Sequence, residues 1–255
     1  MQEKSIGIFD SGIGGITVLQ EIIKVLPNEN YIYYSDSKNN PYGDKTKEEI
    51  VKRCEEICKF LLDRQCKAIV IACNTASSIA ANYLREKYKN VPIIAIEPAY
   101  KMVYDYAYDG KTLVMATKGT IESERFNILY HKYNNHKTEL LECVGLANII
   151  EEGNANTIKD YLEKNLEKYR GKIDNVVLGC THYPLVQKEI GQALGNNIKF
   201  FNGANRLAIH LKNVLEKQDL IYKGKVKGKI IFIDSSRKKE KEERFFKFLS
   251  RSEIL

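Results

Sequence analysis

The sequence predicts an α/β protein built as two similar lobes, each a mainly parallel sheet flanked by helices. Short runs rich in Ile and Val alternate with longer amphipathic stretches, the pattern of βα units on a parallel sheet. The alternation restarts at TLVMATK, so the chain carries it twice. Two segments also echo each other: IVIACNTAS at 69–77 and VVLGCTHYP at 176–184. Each is an apolar strand, a small residue, a cysteine, and then polar residues where a helix should begin.

Taken in order, IGIFD reads as a strand, and a Gly-rich turn leads from it into a helix over ITVLQEIIKVL. YIYYSDS and AIVIACN are the next strands, followed by helices over KEEIVKRCEEICKFLLDRQ and TASSIAANYLREKYK, and VPIIAI is a further strand. In the first of those two helices Ile50, Cys54, Ile57, Cys58 and Leu61 recur at helical spacing and form one apolar stripe. Cys54 and Cys58 therefore read as core residues, since no nearby CxxC or paired His completes a tetrahedral metal site. The chain is expected to leave the first lobe at Glu97–Ala99, around Pro98. TLVMATK, a helix around 120–133, VVLGCTH and a helix beginning near Pro184 make up the second lobe. A return crossing near Asn202–Ala204 brings a helix around 205–217 and the strand KIIFID back. The lobes are thus expected at 1–97 with 207–255, and at 98–206. The segment KKEKEERFFKFL reads as a charged helix with Phe245, Phe246 and Leu249 on its apolar side.

Composition narrows the function classes. Hydrophobic residues make up 44% of the 255 and charged residues 29%, the balance of a globular protein with a substantial core. The net charge of +7 comes from lysines intermingled with Glu and Asp, which describes a solvated surface and no nucleic-acid site. No apolar run approaches the roughly 18 to 20 residues a membrane helix needs. The first residues carry a strand pattern in place of a leader, so a cytoplasmic protein is expected. The six cysteines, at 54, 58, 66, 73, 143 and 180, are then expected as reduced thiols.

The echoed cysteines carry the chemistry. In a parallel α/β sheet, ligands bind where strand carboxyl ends meet helix amino ends, and both Cys73 and Cys180 belong at such edges. Backbone N–H groups and the helix dipole there favour a thiolate. An ordinary thiol titrates near about 8.5, so a modest downward shift would let it exchange protons at working pH. His182, two residues beyond Cys180, is placed to poise that thiol. IGIFDSGIGG sets Asp10 and Ser11 between a strand and a Gly-rich turn. A dinucleotide fingerprint with Asp36 as the acidic residue is incomplete there, since its third glycine position is Thr17; no GK[ST] completes a P-loop either. In SDSKNNPYGDKT, Pro41 and Gly43 flank Tyr42 in a turn between strand and helix.

In this order and spacing, FDSGIGG, SDSKNNPYG, ACNTAS and GCTHYP resemble the glutamate racemases of the aspartate/glutamate racemase superfamily, over residues 6 to about 200. IEPA at 96–99 and ATKGT at 116–120 add to the likeness. The resemblance implies two pseudo-symmetric lobes with the active site between them, no pyridoxal phosphate and no metal, and a homodimer. It implies interconversion of L- and D-glutamate, supplying D-glutamate for peptidoglycan. Cys73 and Cys180 would be proton donor and acceptor on opposite faces of the α-carbon. Asp10 would assist near Cys73, and His182 and Glu151 would support Cys180; in IIEEG the family's acid lies two residues before the glycine. Ser11, Tyr42, Gly43, Asn74, Thr75, Thr117 and Thr181, with Asp10 and His182, resemble the groups that bind the substrate. The chain departs from the family at Phe201–Asn202–Gly203, where many relatives have an apolar residue followed by Asp-Ser-Gly. Beyond Leu220 the likeness is faint, and no function is read from the tail.

Three other readings remain open on sequence: an aspartate racemase of the same superfamily, a Cys/His hydrolase using Cys180 and His182, and a non-catalytic amino-acid-binding module.

Overall fold

Strands that are apolar on both faces commit a chain to sheets covered on both sides. The computed structural model describes residues 2–106, 109–134, 136–195 and 197–250. Its strands are β1 (Ile6–Asp10), β2 (Tyr31–Ser35), β3 (Ala68–Ile71), β4 (Ile93–Ala95), β5 (Thr112–Ala116), β6 (Thr138–Glu142), β7 (Asn175–Gly179), β8 (Lys199–Phe201) and β9 (Ile230–Asp234). They form two sheets, ordered β4-β3-β1-β2-β9 and β6-β5-β7-β8. Every pairing among them is parallel.

The helices follow as α1 (Ile16–Val25), α2 (Lys47–Asp63), α3 (Asn74–Lys87), α4 (Tyr100–Tyr106), α5 (Lys118–Ile121) and α6 (Glu124–Tyr133). The remainder are α7 (Leu146–Glu152), α8 (Ala155–Leu166), α9 (Gln187–Leu194), α10 (Ala204–Lys217) and α11 (Lys239–Leu249). In the first sheet Ile6, Ile8, Ala68 and Val70 face the core beneath α1 and α10. Phe9, Ile69 and Ile71 face the opposite core, beneath α2 and α3, where Cys54 and Cys58 are also buried. The second sheet repeats this: Leu113, Met115 and Val176 point to α7, α8 and α9, while Val114, Ala116 and Val177 point to α4 and α6. The chain passes from the first sheet to the second between β4 and α4, and returns between β8 and α10.

Local chemistry sets several boundaries. A capping box starts α2: Thr46 Oγ1 accepts from Glu49 N, and Glu49 accepts from Thr46 N. The single helix expected around 120–133 is divided, because Ser123 Oγ accepts from Phe126 N and starts α6 afresh after α5. The helix expected near Pro184 opens as a 3₁₀ turn, Tyr183–Val186, and becomes α-helical only at Gln187. On α11, Phe245 is fully buried but Phe246 is 40% exposed, so Phe246 does not share the apolar side assigned to it. Phe245 stacks on Phe232 of β9 and lies 4.8 Å, ring to ring, from Tyr33 of β2, which pins α11 to the first sheet.

Candidate active site

The first sheet brings Asp10, Ser11 and Cys73 together because β1 and β3 are neighbours and end at the same edge. Cys73 is the N-cap residue of α3 and is 5% exposed. Its Sγ donates to Ser11 Oγ at 3.7 Å. Burial, and then the charge of Asp10, push the Cys73 thiol up to about 12, against the lowering effect of the Ala76 backbone N–H. This corrects the downward shift expected at a helix start: desolvation of the sulfur outweighs the dipole and amide contribution. Asp10 is itself buried and raised by that burial, although His182, Gly12 and Thr181 all pull it down. Its carboxylate accepts from Gly12 N at 2.8 Å and from Thr181 Oγ1 at 2.9 Å, so it reaches across to the Cys180 segment.

The second sheet delivers Cys180 one residue beyond β7. Its Sγ lies 3.7 Å from His182 Nδ1, and His182 Nε2 lies 2.8 Å from Glu151 Oε1. Glu151 sits in the last turn of α7 and also accepts from Ile13 N at 2.7 Å. Burial opposes charge on His182, yet contact with Cys180 and Glu151 raises it well above its ordinary value. Burial likewise opposes charge on Glu151, but His182 and Lys241 hold its carboxyl down at about 2. The His182 ring thus bridges a carboxylate and a sulfur, a setting that favours its charged form. FDSGIGG contributes through close approach: a Cβ on Gly12 would run into Glu151 Oε1, and one on Gly14 into the His182 ring. Those glycines admit the second lobe's side chains, which leaves nothing for a dinucleotide reading to explain.

Around these groups, Thr75 at the start of α3 and Thr117 at the N-cap of α5 share a 2.8 Å hydroxyl hydrogen bond between the two sheets. Asn74 and Thr75 are buried in the first turn of α3. Gly43 packs against Thr117. Tyr42 is buried and its hydroxyl donates to Asp36 Oδ2 at 2.6 Å. Asp36 in turn pairs with Arg53 of α2, so it braces the PYG turn and is no ribose ligand. The residues expected at the site therefore lie at or follow the carboxyl ends of β1, β2, β3, β5 and β7, apart from Glu151, which comes from the last turn of α7.

Sequence reasoning missed two groups here. Arg53 lies on the polar side of α2, where a solvated charge is the default, and only the buried Asp36 in YIYYSDS hinted at a partner. Lys241 and Arg244 of α11 were also missed: Lys241 Nζ lies 2.6 Å from Glu151 Oε2, and Arg244 donates to the Glu151 and Ile150 carbonyls. A run of charges carries no signal of which one turns inward. Among the described residues, no group of three or more His, Cys, Asp or Glu is arranged to hold a metal ion. No helix among them is long and apolar enough to cross a membrane.

Taken together, the site presents one sulfur from each sheet, Cys73 beside Ser11 and near Asp10, and Cys180 against His182 and Glu151. A family model described as Asp/Glu/hydantoin racemase matches residues 6–206. The glutamate racemase of Clostridium perfringens is 42% identical over 239 residues, covering 92% of this chain and 92% of that protein. The crystal structure of glutamate racemase from Francisella tularensis, in complex with D-glutamate, is 31% identical with a TM-score of 0.82, over 98% of this chain and 94% of that one. A glutamate racemase isoform from Bacillus anthracis is 30% identical with a TM-score of 0.86, over 98% and 95% of the two chains. The chain belongs to the Asp/Glu/hydantoin racemase family, and within it to the glutamate racemases.

Proposed function

We propose that the chain interconverts L- and D-glutamate by two-base proton transfer, with Cys73 and Cys180 on opposite faces of the substrate's α-carbon. The observation that carries this reading is the unlike setting of the two thiols. Cys180 Sγ lies 3.7 Å from His182 Nδ1, whose ring is in turn paired with the Glu151 carboxylate, whereas Cys73 has only the Ser11 hydroxyl beside it and is pushed up by burial and by Asp10. In the forward step the α-C–H bond breaks as an S–H bond forms at Cys180. The carbanion then takes the Cys73 proton on its other face, and Cys73 is left as the thiolate that starts the reverse reaction.

The developing negative charge needs stabilisation as much as the proton needs a base. Backbone N–H groups at the starts of α3 and of the turn after Cys180 serve that purpose. Ser11, Tyr42, Gly43, Asn74, Thr75, Thr117 and Thr181 would hold the ammonium and carboxylates between the lobes at 1–97 with 207–255 and at 98–206. His182 and Glu151 would keep Cys180 poised, and Asp10 would act on Cys73 through charge. No cofactor enters the scheme. In the cell it would supply D-glutamate for peptidoglycan from the cytoplasm, as a homodimer.

A Cys/His hydrolase would use Cys180 and His182 but has no use for a second thiol beside a second carboxylate. Pure L-glutamate and pure L-aspartate, each incubated with the protein while optical rotation is followed, test the reading. Rotation is expected to decay to zero with glutamate and to persist with Cys73→Ala and Cys180→Ala, both folded. Decay with aspartate alone would reassign the substrate, and near wild-type activity in either variant would refute the two-thiol mechanism.

A further inference from the structure

Glu151 lies in the last turn of α7, the negative end of a helix dipole, and is buried there. A lone carboxylate in that place is unfavourable twice over, through desolvation and through the dipole. His182 offsets part of this from one side. Ile13 N donates to the same oxygen, Oε1, at 2.7 Å, and the other oxygen is met from α11, outside residues 6–206 that the family model matches. Lys241 Nζ is 2.6 Å from Glu151 Oε2, the oxygen that does not face His182. Arg244 donates through Nη1 to the Glu151 carbonyl and through Nη2, at 2.7 Å, to that of Ile150. Carbonyls in a last helical turn have no partner within the helix, so Arg244 caps α7. Gly153, at φ 73°, ends α7, and a Cβ on it would collide with the Arg244 guanidinium. That glycine therefore serves both the helix end and the approach of α11.

We infer that Lys241 and Arg244 form a clamp that positions Glu151, and through it His182 and Cys180, from the opposite lobe. The inference rests on the two-thiol reading above. Because Phe245 seats α11 on Tyr33 and Phe232 of the first sheet, the clamp joins the Cys180 side of the site to the body that carries Cys73. Neither residue touches the reacting atoms. They are positioning residues: Lys241 sets which oxygen of Glu151 is left for His182, and Arg244 sets the height of the α7 end.

The charged and titratable groups around Glu151 are His182, with Cys180 beyond it, Lys241 and Arg244 from α11, Asp10 after β1, and Tyr33 of β2. Removing the ammonium cation lets the Glu151 carboxyl rise from about 2 toward its ordinary range. The pair with His182 is then lost at a higher pH. Lys241→Met keeps the aliphatic stem of a quarter-exposed side chain and is expected to fold.

The experiment follows racemisation of glutamate across pH by the full chain, its Lys241→Met and Lys241→Arg variants, and Arg244→Lys, with circular dichroism spectra to verify folding. Lys241→Met should lose between about tenfold and about a hundredfold in kcat, with a smaller change in KM, as expected for a misplaced relay. The acid limb of its profile should move to higher pH, and Lys241→Arg should restore both. A Lys241→Met profile that superimposes on the wild type, while Cys180→Ala and Glu151→Gln are inactive, overturns the clamp and leaves the two-thiol reading standing. Activity in Cys180→Ala overturns both. If Arg244→Lys retains full rate together with Lys241→Met, the clamp is likewise refuted.

Discussion

At Cys73 a helix start and a dry pocket pull in opposite directions, and the pocket wins, with the thiol pushed up to about 12. At Glu151 burial loses: a cation on each side, His182 and Lys241, holds the carboxyl at about 2. What separates the two outcomes is the number of opposite charges within hydrogen-bond reach. That difference has a consequence for stability. Glu151, ordinarily near 4.5, contributes stability that is fully present above that value and is lost as pH falls toward about 2. His182, raised above its ordinary 6.5, contributes below that value and loses its contribution as pH rises through its folded value. Both are at full strength between about pH 4.5 and about pH 6.5. Glu151→Gln should accordingly depress Tm most within that window, with the gap to wild type narrowing on both sides. A depression of equal size from acid to alkaline pH would assign the effect to packing and not to charge.

At the scale of elements, β1, β3, β5 and β7 were legible because each is buried on both faces and so reads as a largely apolar run. β6, TELLE, was not: it is an edge strand, half exposed, with a Glu at two of its five positions. β8, with three residues, is too short to show a period. The thiols, the glycine loop and the PYG turn were legible because they follow strands directly and their neighbours are poor core material. Which side chains of α11 reach the site was not, since the contact is long-range and its residue types also suit solvent. Its most deeply buried anchor is the Phe245 ring, with Phe248 and Leu249 packed beside it. Phe245→Ala leaves a cavity between β2, β9 and α11 and should cost about 3–5 kcal/mol of stability. Urea unfolding reads this directly, and a loss below about 1 kcal/mol would mean that α11 is held by contacts other than the Phe245 ring.

For the whole molecule, what matters is that the two sulfurs belong to different sheets. The bodies carrying them meet through Asp10 with Thr181, Thr75 with Thr117, and Ile13 with Glu151, and these contacts hold the facing carboxyl edges in register. On the proposed scheme, each face of a substrate held between the edges has its own proton source. The thiol that protonates the carbanion is not the thiolate that removed the proton. In deuterated water the protonating thiol carries solvent deuterium, so product formed early should be labelled at the α-carbon while recovered substrate stays largely unlabelled. A single base swinging between faces would return some original hydrogen to product and leave label in both isomers alike. On the proposed scheme, Cys180 deprotonates L-glutamate and Cys73 deprotonates D-glutamate. Each enantiomer should be started separately, with α-hydrogen exchange followed by NMR and optical rotation followed in parallel, for the wild type and for Cys73→Ser. The serine variant should lose rotation change with either enantiomer, since both directions need both groups, while α-hydrogen exchange persists longer with L-glutamate, whose base is intact. Equal early labelling of substrate and product by the wild type would defeat the two-base scheme even with glutamate as the substrate.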